Sequence, residues 1–261
     1  MASSFIISTD LDGTLLDHHN YSFTAALPAL EQCRKEGLPV ILNTSKTFSE
    51  AVSLQKQIAL NSPIIVENGS AIVLPDNRRI LFGAERSDIT NFIKTVRVTY
   101  KWRFEGFDDW NISEIVKHTG LSNDGAKLAS EKEYSEPFLW NDTEHALVEF
   151  SQLASQNGFS ILKGGRFYHL QGVTDKAKPL VWLIENYAEL FPQLKEKPQL
   201  IVLGDNANDI AMLNVADIAV CVRSPVSDFP EISSKGEIIK TQAYGPAGWN
   251  QAILKILGVR K

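Results

Sequence analysis

Apolar residues are distributed in two ways along this chain. Toward both ends they come as short unbroken runs, Phe5 to Thr9, Pro39 to Asn43, Ile64 to Val66, Leu200 to Leu203 and Ile218 to Val222, each followed at once by turn residues. Unbroken runs mark strands covered on both faces, which predicts a parallel sheet. Between the runs the period is helical. Leu27, Leu30 and Cys33 share one face before Gly37, Thr47 to Leu60 repeats the pattern, and Lys178 to Phe191 places Leu180, Leu183, Ile184 and Tyr187 together. A shorter helix is expected over Asp209 to Val215. Strands alternating with helices predict an α/β fold with its ligand site at the carboxyl ends of the strands.

The middle of the chain breaks this rhythm. From about Ala84 to Val173 the pattern turns amphipathic and aromatic, with Trp102, Phe104, Phe107, Trp110, Phe138 and Trp140. Phe159 to Leu162 and Arg166 to Leu170 flank Gly164-Gly165, a hairpin signal, and a helix is expected over Thr143 to Gln156. This region reads as an inserted α+β domain with most of its aromatics in a core. The expected division is therefore a core domain of residues 1–83 and 174–261, interrupted by an insert of residues 84–173.

Composition narrows the classes without naming a function. The 261 residues are 44% hydrophobic and 22% charged, ordinary values for a globular chain. A net charge of -5 argues against a nucleic-acid surface but leaves room for a small anionic ligand met by local cations. The two cysteines, Cys33 and Cys221, lie far apart in apolar company and read as buried thiols. The first apolar run is too short for a signal-peptide core, and no segment has the length of a membrane span. The expected compartment is the cytoplasm.

The first run ends in Asp10-Leu-Asp12-Gly13. Carboxylates at i and i+2 of an extended backbone point to the same side and repel unless a cation separates them; a plain strand-to-turn junction is the alternative. A second carboxylate pair, Asp205 and Asp209, sits where the run Leu200 to Leu203 gives way to a helix, with Asn206 and Asn208 as further oxygen donors. Hard oxygen ligands without cysteine or histidine favour Mg²⁺ over zinc, while helix capping also accounts for Asp and Asn there. At the end of the second run, Thr44 and Ser45 offer hydroxyls and Lys46 a charge, to a phosphoryl group or as helix caps. Thr174-Asp-Lys-Ala177 puts Lys176 at a helix entrance.

In this order, DxDGT, a strand-end hydroxyl, a lysine before a helix and GDxxxD, the sequence resembles the haloacid-dehalogenase-like phosphohydrolase superfamily, in the branch whose cap lies between the second and third motifs. The resemblance covers essentially the whole chain and implies a Rossmann-like open parallel sheet core with an inserted α+β cap. It further implies Asp10 as nucleophile, Asp12 as general acid/base, Thr44 and Lys176 at the hydroxyl and lysine positions, and Mg²⁺ held at Asp10, Asp12 (by its backbone carbonyl), Asp205 and, directly or through water, Asn208 and Asp209. A general sugar phosphatase or a phosphomutase on the same fold and an aspartate-phosphorylated signalling switch are the rival functions; the insert and Asp12 speak against the switch.

Three local features, Ser45-Lys46-Thr47, "IVENGSA" from Ile65 to Ala71 and "GGRFYHL" from Gly164 to Leu170, together with Tyr134-Ser-Glu-Pro-Phe138, resemble the mannosyl-3-phosphoglycerate phosphatases within that superfamily. The implied substrate is a small anionic sugar phosphate ester, with neither nucleic acid nor membrane as partner. The substrate-binding residues expected on this basis are Ser45, Lys46, Gly165 and Arg166. Arg166 suits a carboxylate, or is an exposed strand charge. Glu136, Lys163 and His169 are further candidates for substrate contact in the insert.

Overall fold

The computed structural model describes residues 4–164 and 166–259. From the amino terminus, β1 (Phe5–Thr9), β2 (Val40–Asn43), β3 (Ile64–Val66), β4 (Ala71–Val73) and β5 (Arg79–Leu81) precede a separate group of four strands, β6 (Phe104–Gly106), β7 (Ser135–Trp140), β8 (Phe159–Lys163) and β9 (Tyr168–Gly172). The chain then completes the first sheet with β10 (Gln199–Gly204), β11 (Ile218–Arg223) and β12 (Glu237–Tyr244). The large sheet runs β12-β11-β10-β1-β2-β3-β4-β5. Its strands are parallel from β12 through β3, while β4 and β5 turn back antiparallel.

The unbroken apolar runs have the cause inferred from them. Phe5, Ile7, Leu42, Ile201 and Leu203 pack on one face against helices Leu27–Lys35 and Gly245–Ile256. Ile6, Ile41, Leu200 and Val202 pack on the other against Ala177–Glu185 and Ile210–Asn214. Neighbours in a strand thus belong to different cores, which no alternating sequence permits. The helix expected over Lys178 to Phe191 ends at Glu185 and resumes as a short turn of helix, Tyr187–Leu190. The expected Asp209 to Val215 helix is preceded by a 3-10 turn, Ala207–Asp209.

The second sheet, in the order β6-β7-β9-β8, is wholly antiparallel. Its core holds Phe104, Phe138, Phe150 and Phe159, with Trp102 and Trp140 packed against them; Phe107 and Trp110 belong to a smaller cluster under helices Ile112–Thr119 and Asn123–Ser130. The β8–β9 hairpin forms as its glycines indicated, closed by the Gly164 N–H donating to the Phe167 carbonyl at 2.8 Å. Gly165 lies outside the described residues. Among the described residues, no helix is long and apolar enough to cross a membrane.

Candidate active site

Register brings the two carboxylate motifs together. β1 and β10 are parallel neighbours with Thr9 opposite Leu203, so Asp10 and Asp205 leave the sheet at the same end. Crossing to Asp205 requires that Gly13 take a left-handed φ of +81°, and a Cβ there would lie 2.6 Å from Asp205 Oδ2. Glycine is the residue that meets both demands. The Thr14 hydroxyl, which sequence reasoning passed over inside the same motif, donates to Asp205 Oδ1 at 2.9 Å. From behind, the Trp249 indole donates to Thr9 Oγ1 at 3.0 Å and that hydroxyl donates to the Asp10 carbonyl at 2.7 Å, fixing the backbone beneath the Asp10 side chain.

Lys176 is fully buried and donates to Asp10 Oδ1 at 2.6 Å and to Asp209 Oδ1 at 2.7 Å. Its backbone is held by Asn43, whose Nδ2 donates to the Lys176 carbonyl at 2.9 Å. Asp209 spends its other oxygen on the N–H groups of Asp205 at 3.0 Å and Asn206 at 3.1 Å, so it shapes the loop that carries Asp205. Asp10, Asp205 and Asp209 each bring a carboxylate oxygen within 4.8 Å of the others. With Lys176 the four groups carry a formal -3 + 1 = -2, a charge that a divalent cation matches.

The electrostatics agree with that charge count. Burial pushes the Asp10 carboxyl up to about 8; Lys176 opposes the shift, while Asp209, Asp205 and Asp12 add to it. Burial and Asp209 push Asp205 up to about 6. Burial pulls the Lys176 ammonium down, but Asp10 and Asp209 outweigh it and leave it above the ordinary lysine value. A cluster whose acids hold protons near neutrality for want of positive charge is chemically suited to a metal with hard oxygen ligands. Mg²⁺ fits this donor set.

Asp12 stands apart from the cluster. Its Oδ2 pairs with Lys46 Nζ at 2.8 Å, while Oδ1 is buried without a partner. Thr44 is buried, its Oγ1 accepting from the Lys46 N–H at 3.1 Å and keeping its own proton to donate. Asp10, Asp12, Ser45 and Asn208 line one cavity of about 430 Å³, which Leu162, Lys163, Gly164 and His169 close from the second sheet. Asn208 also donates to Asn68 Oδ1 at 3.3 Å.

Arg166 is not brought to this cavity. It is exposed, and its guanidinium donates to the His118 carbonyl in the last turn of Ile112–Thr119, a favourable place for a cation. Glu136 is likewise committed elsewhere, to Arg86 at 2.8 Å and the Asp108 N–H at 2.7 Å.

The segment Ile65 to Ala71, a family cue in the sequence, forms a turn that acts as a junction. Glu67, Asn68 and Gly69 have φ of 47°, 57° and 87°, a left-handed run that non-glycine residues adopt only under constraint. The Glu67 N–H donates to the Lys46 carbonyl at 3.1 Å and that of Asn68 to the Thr44 carbonyl at 2.9 Å. A Cβ on Gly69 would fall 2.0 Å from the Asp175 carbonyl, beside Lys176. The buried Glu67 carboxylate accepts from Glu133 N at 2.8 Å, Tyr134 N at 3.3 Å and the Ser135 hydroxyl. Removing it strands these donors. Glu67→Ala is expected to cost about 2–4 kcal/mol, lowering the melting temperature by roughly 5–15 °C, whereas Glu133→Ala at the exposed Arg79 pair should cost under about 1 kcal/mol. Equal melting points for the two variants would refute the assignment.

A family model described as haloacid dehalogenase-like hydrolase matches residues 7–150. A protein of Persephonella marina named glucosyl-3-phosphoglycerate/mannosyl-3-phosphoglycerate phosphatase is 37% identical over 97% of both chains. One of the same name from Methanococcoides burtonii is 34% identical, again over 97% of each. Among solved structures, a haloalkanoate-superfamily phosphatase of Bacteroides thetaiotaomicron superposes with a TM-score of 0.68 at 20% identity, covering 99% of this chain and 97% of its own. A Thermoplasma acidophilum protein gives 0.69 at 19%, covering 99% and 100%. The acid cluster at the carboxyl ends of β1 and β10 is thus carried on a shared fold and on a sequence matched by these relatives nearly end to end, and the chain belongs to the haloacid dehalogenase-like hydrolase family.

Proposed function

We propose that this protein is a Mg²⁺-dependent phosphomonoesterase that hydrolyses mannosyl-3-phosphoglycerate, or its glucosyl counterpart, to the hexosylglycerate and phosphate. The observation that carries the reading is the division of labour between the two first-motif acids: Asp10 in a buried cluster against Lys176, Asp12 held out of it by Lys46. The names of the relatives supply the substrate class.

Asp10 and Asp205, with the Asp12 backbone carbonyl, would hold the metal, and Asn208 and Asp209 would act around it. Bound Mg²⁺ supplies positive charge that lets an anionic nucleophile approach a phosphate dianion. Asp10 has Oδ1 on Lys176, which leaves Oδ2 to attack phosphorus and form an aspartyl phosphate. Asp12 Oδ1, buried and unpartnered beside the cavity, is placed to give a proton to the departing alkoxide and later to take one from water. Thr44 donates to a phosphoryl oxygen, and Ser45 and Lys46 bind the substrate side of the cavity. Residues 84–173 act as the cap that selects the substrate, through the β8–β9 wall. A screen of phosphate release across phosphate esters tests the reading: hexosyl-3-phosphoglycerates should be preferred at least about tenfold over hexose phosphates. Equal turnover would remove the substrate assignment.

Metal dependence has a pH signature. Since Asp10 and Asp205 are raised to about 8 and about 6, protons compete with the metal below those values. At 100 times its dissociation constant, Mg²⁺ should stabilise by about 2.7 kcal/mol, roughly 5–10 °C. The shift should be larger at pH 8 than at pH 6 and vanish in Asp205→Ala. Thermal melts with Mg²⁺ and with chelator measure it; a pH-independent shift would contradict the proposed ligands.

A further inference from the structure

Among the described residues two lysines are buried, and they are paired very differently. Lys176 lies between carboxylates, whereas Lys132, 9% exposed, has none within ion-pair distance. Its Nζ donates to one neutral acceptor, the Ser45 carbonyl at 3.1 Å, and the other two ammonium hydrogens meet no acceptor among the described residues. A buried ammonium served by a single carbonyl bears a desolvation cost that an arriving anion would offset.

The surroundings say where that anion would come from. Ser45 lines the catalytic cavity and follows Thr44, the hydroxyl proposed to hold the phosphoryl group. His169 lines the same cavity and has a buried Nδ1 without partner. Burial and then the Lys132 charge push this imidazole down to about 3, so it is neutral; Lys132 thus neighbours two residues of the cavity lining, Ser45 and His169. Of the other cations nearby, Lys46 is on Asp12 and Arg166 is at the His118 carbonyl, while Lys163 lines the cavity from an exposed position over the Tyr168 ring. Lys132 is also held firmly, because the residues after it, Glu133 to Ser135, are bound by Glu67.

We propose that Lys132 is the specificity-determining residue that receives the carboxylate of the phosphoglyceryl group. Its contact with Ser45, the residue after Thr44, suits a substrate in which only the second and third glyceryl carbons lie between the carboxylate and the phosphate ester oxygen. The inference rests on the substrate reading above. Steady-state kinetics of wild type, Lys132→Gln and Lys132→Arg, each on a hexosyl-3-phosphoglycerate and on a hexose phosphate without a carboxylate, test it. Losing a desolvated charge pair should lower kcat/KM of Lys132→Gln about 100-fold on the first ester, mainly through KM, and under threefold on the second. Lys132→Arg should recover a good part of the loss, which also separates charge from folding. A parallel fall on both esters, or no fall on either, overturns the role of Lys132 while the wild-type preference still upholds the substrate. Absence of that preference in wild type overturns both.

Discussion

Asp10→Asn is expected to lower turnover by at least about 10⁴-fold, because an amide offers phosphorus neither a nucleophile nor a charge for the metal. The stability of the metal-free protein should move the other way. With the Asp10 carboxyl raised to about 8 in the folded state, above its unfolded value, its contribution is favourable at low pH and is lost as pH rises through about 8. The asparagine variant lacks that titration. At pH 8, with chelator present, it should melt no lower than wild type, and its melting point should change less between pH 5 and 8. Phosphate release and thermal melts in parallel measure the two effects. Near-normal turnover would remove Asp10 as nucleophile; a large fall in melting point would mean that the acid is structural.

Lys176→Met should damage both properties at once. Its ammonium is fully buried with Asp10 and Asp209 at 2.6 and 2.7 Å, and deleting one partner of a buried ion pair typically costs about 3–5 kcal/mol. For a chain of this size that is roughly 5–20 °C in melting temperature. Activity should fall by about 10²–10³-fold, since a preorganised positive group next to the reacting oxygen is lost. The stability loss should shrink toward acid pH, where Asp10 is protonated and no longer needs the ammonium. A variant that melts like wild type at pH 8 would show that the pair contributes no net stability.

The four acids of the two carboxylate motifs were legible because their spacing is local. Asp10 and Asp12 are two residues apart on one backbone, and Asp205 and Asp209 sit within one strand-to-helix junction. Their order along the chain carried the family resemblance. The same holds for much of the sheet: Ile6 and Ile7 enter opposite cores, and no polar position interrupts such a strand to hide it. Strands β4, β5 and β12 were harder to see. β4 is a buried apolar run of only three residues, and β5 and β12 are the two edge strands of the sheet, whose largely exposed patterns lack the continuous apolar run of the inner strands.

The insert shows the opposite case. Gly164 predicted the hairpin, but not that the turn would send Arg166 to the His118 carbonyl while Lys163 and His169 faced the cavity. Nothing local in the sequence marks Glu67 or Lys132 as buried, and both are.

By itself the sequence determined the nature of the inner strands and of most of the helices that cover them, and its motif order singled out Asp10, Asp12, Thr44, Lys176, Asp205 and Asp209 as candidates, because periodicity and short-range spacing are properties of neighbours in the chain. Only the tertiary structure decided which charges oppose one another. Lys176 reaches Asp10 across 166 residues, Thr14 reaches Asp205 across 191, and Lys132 reaches Ser45 across 87. Whether a charged side chain is buried, paired or left waiting for a ligand is set by those long-range placements, and no local pattern encodes them.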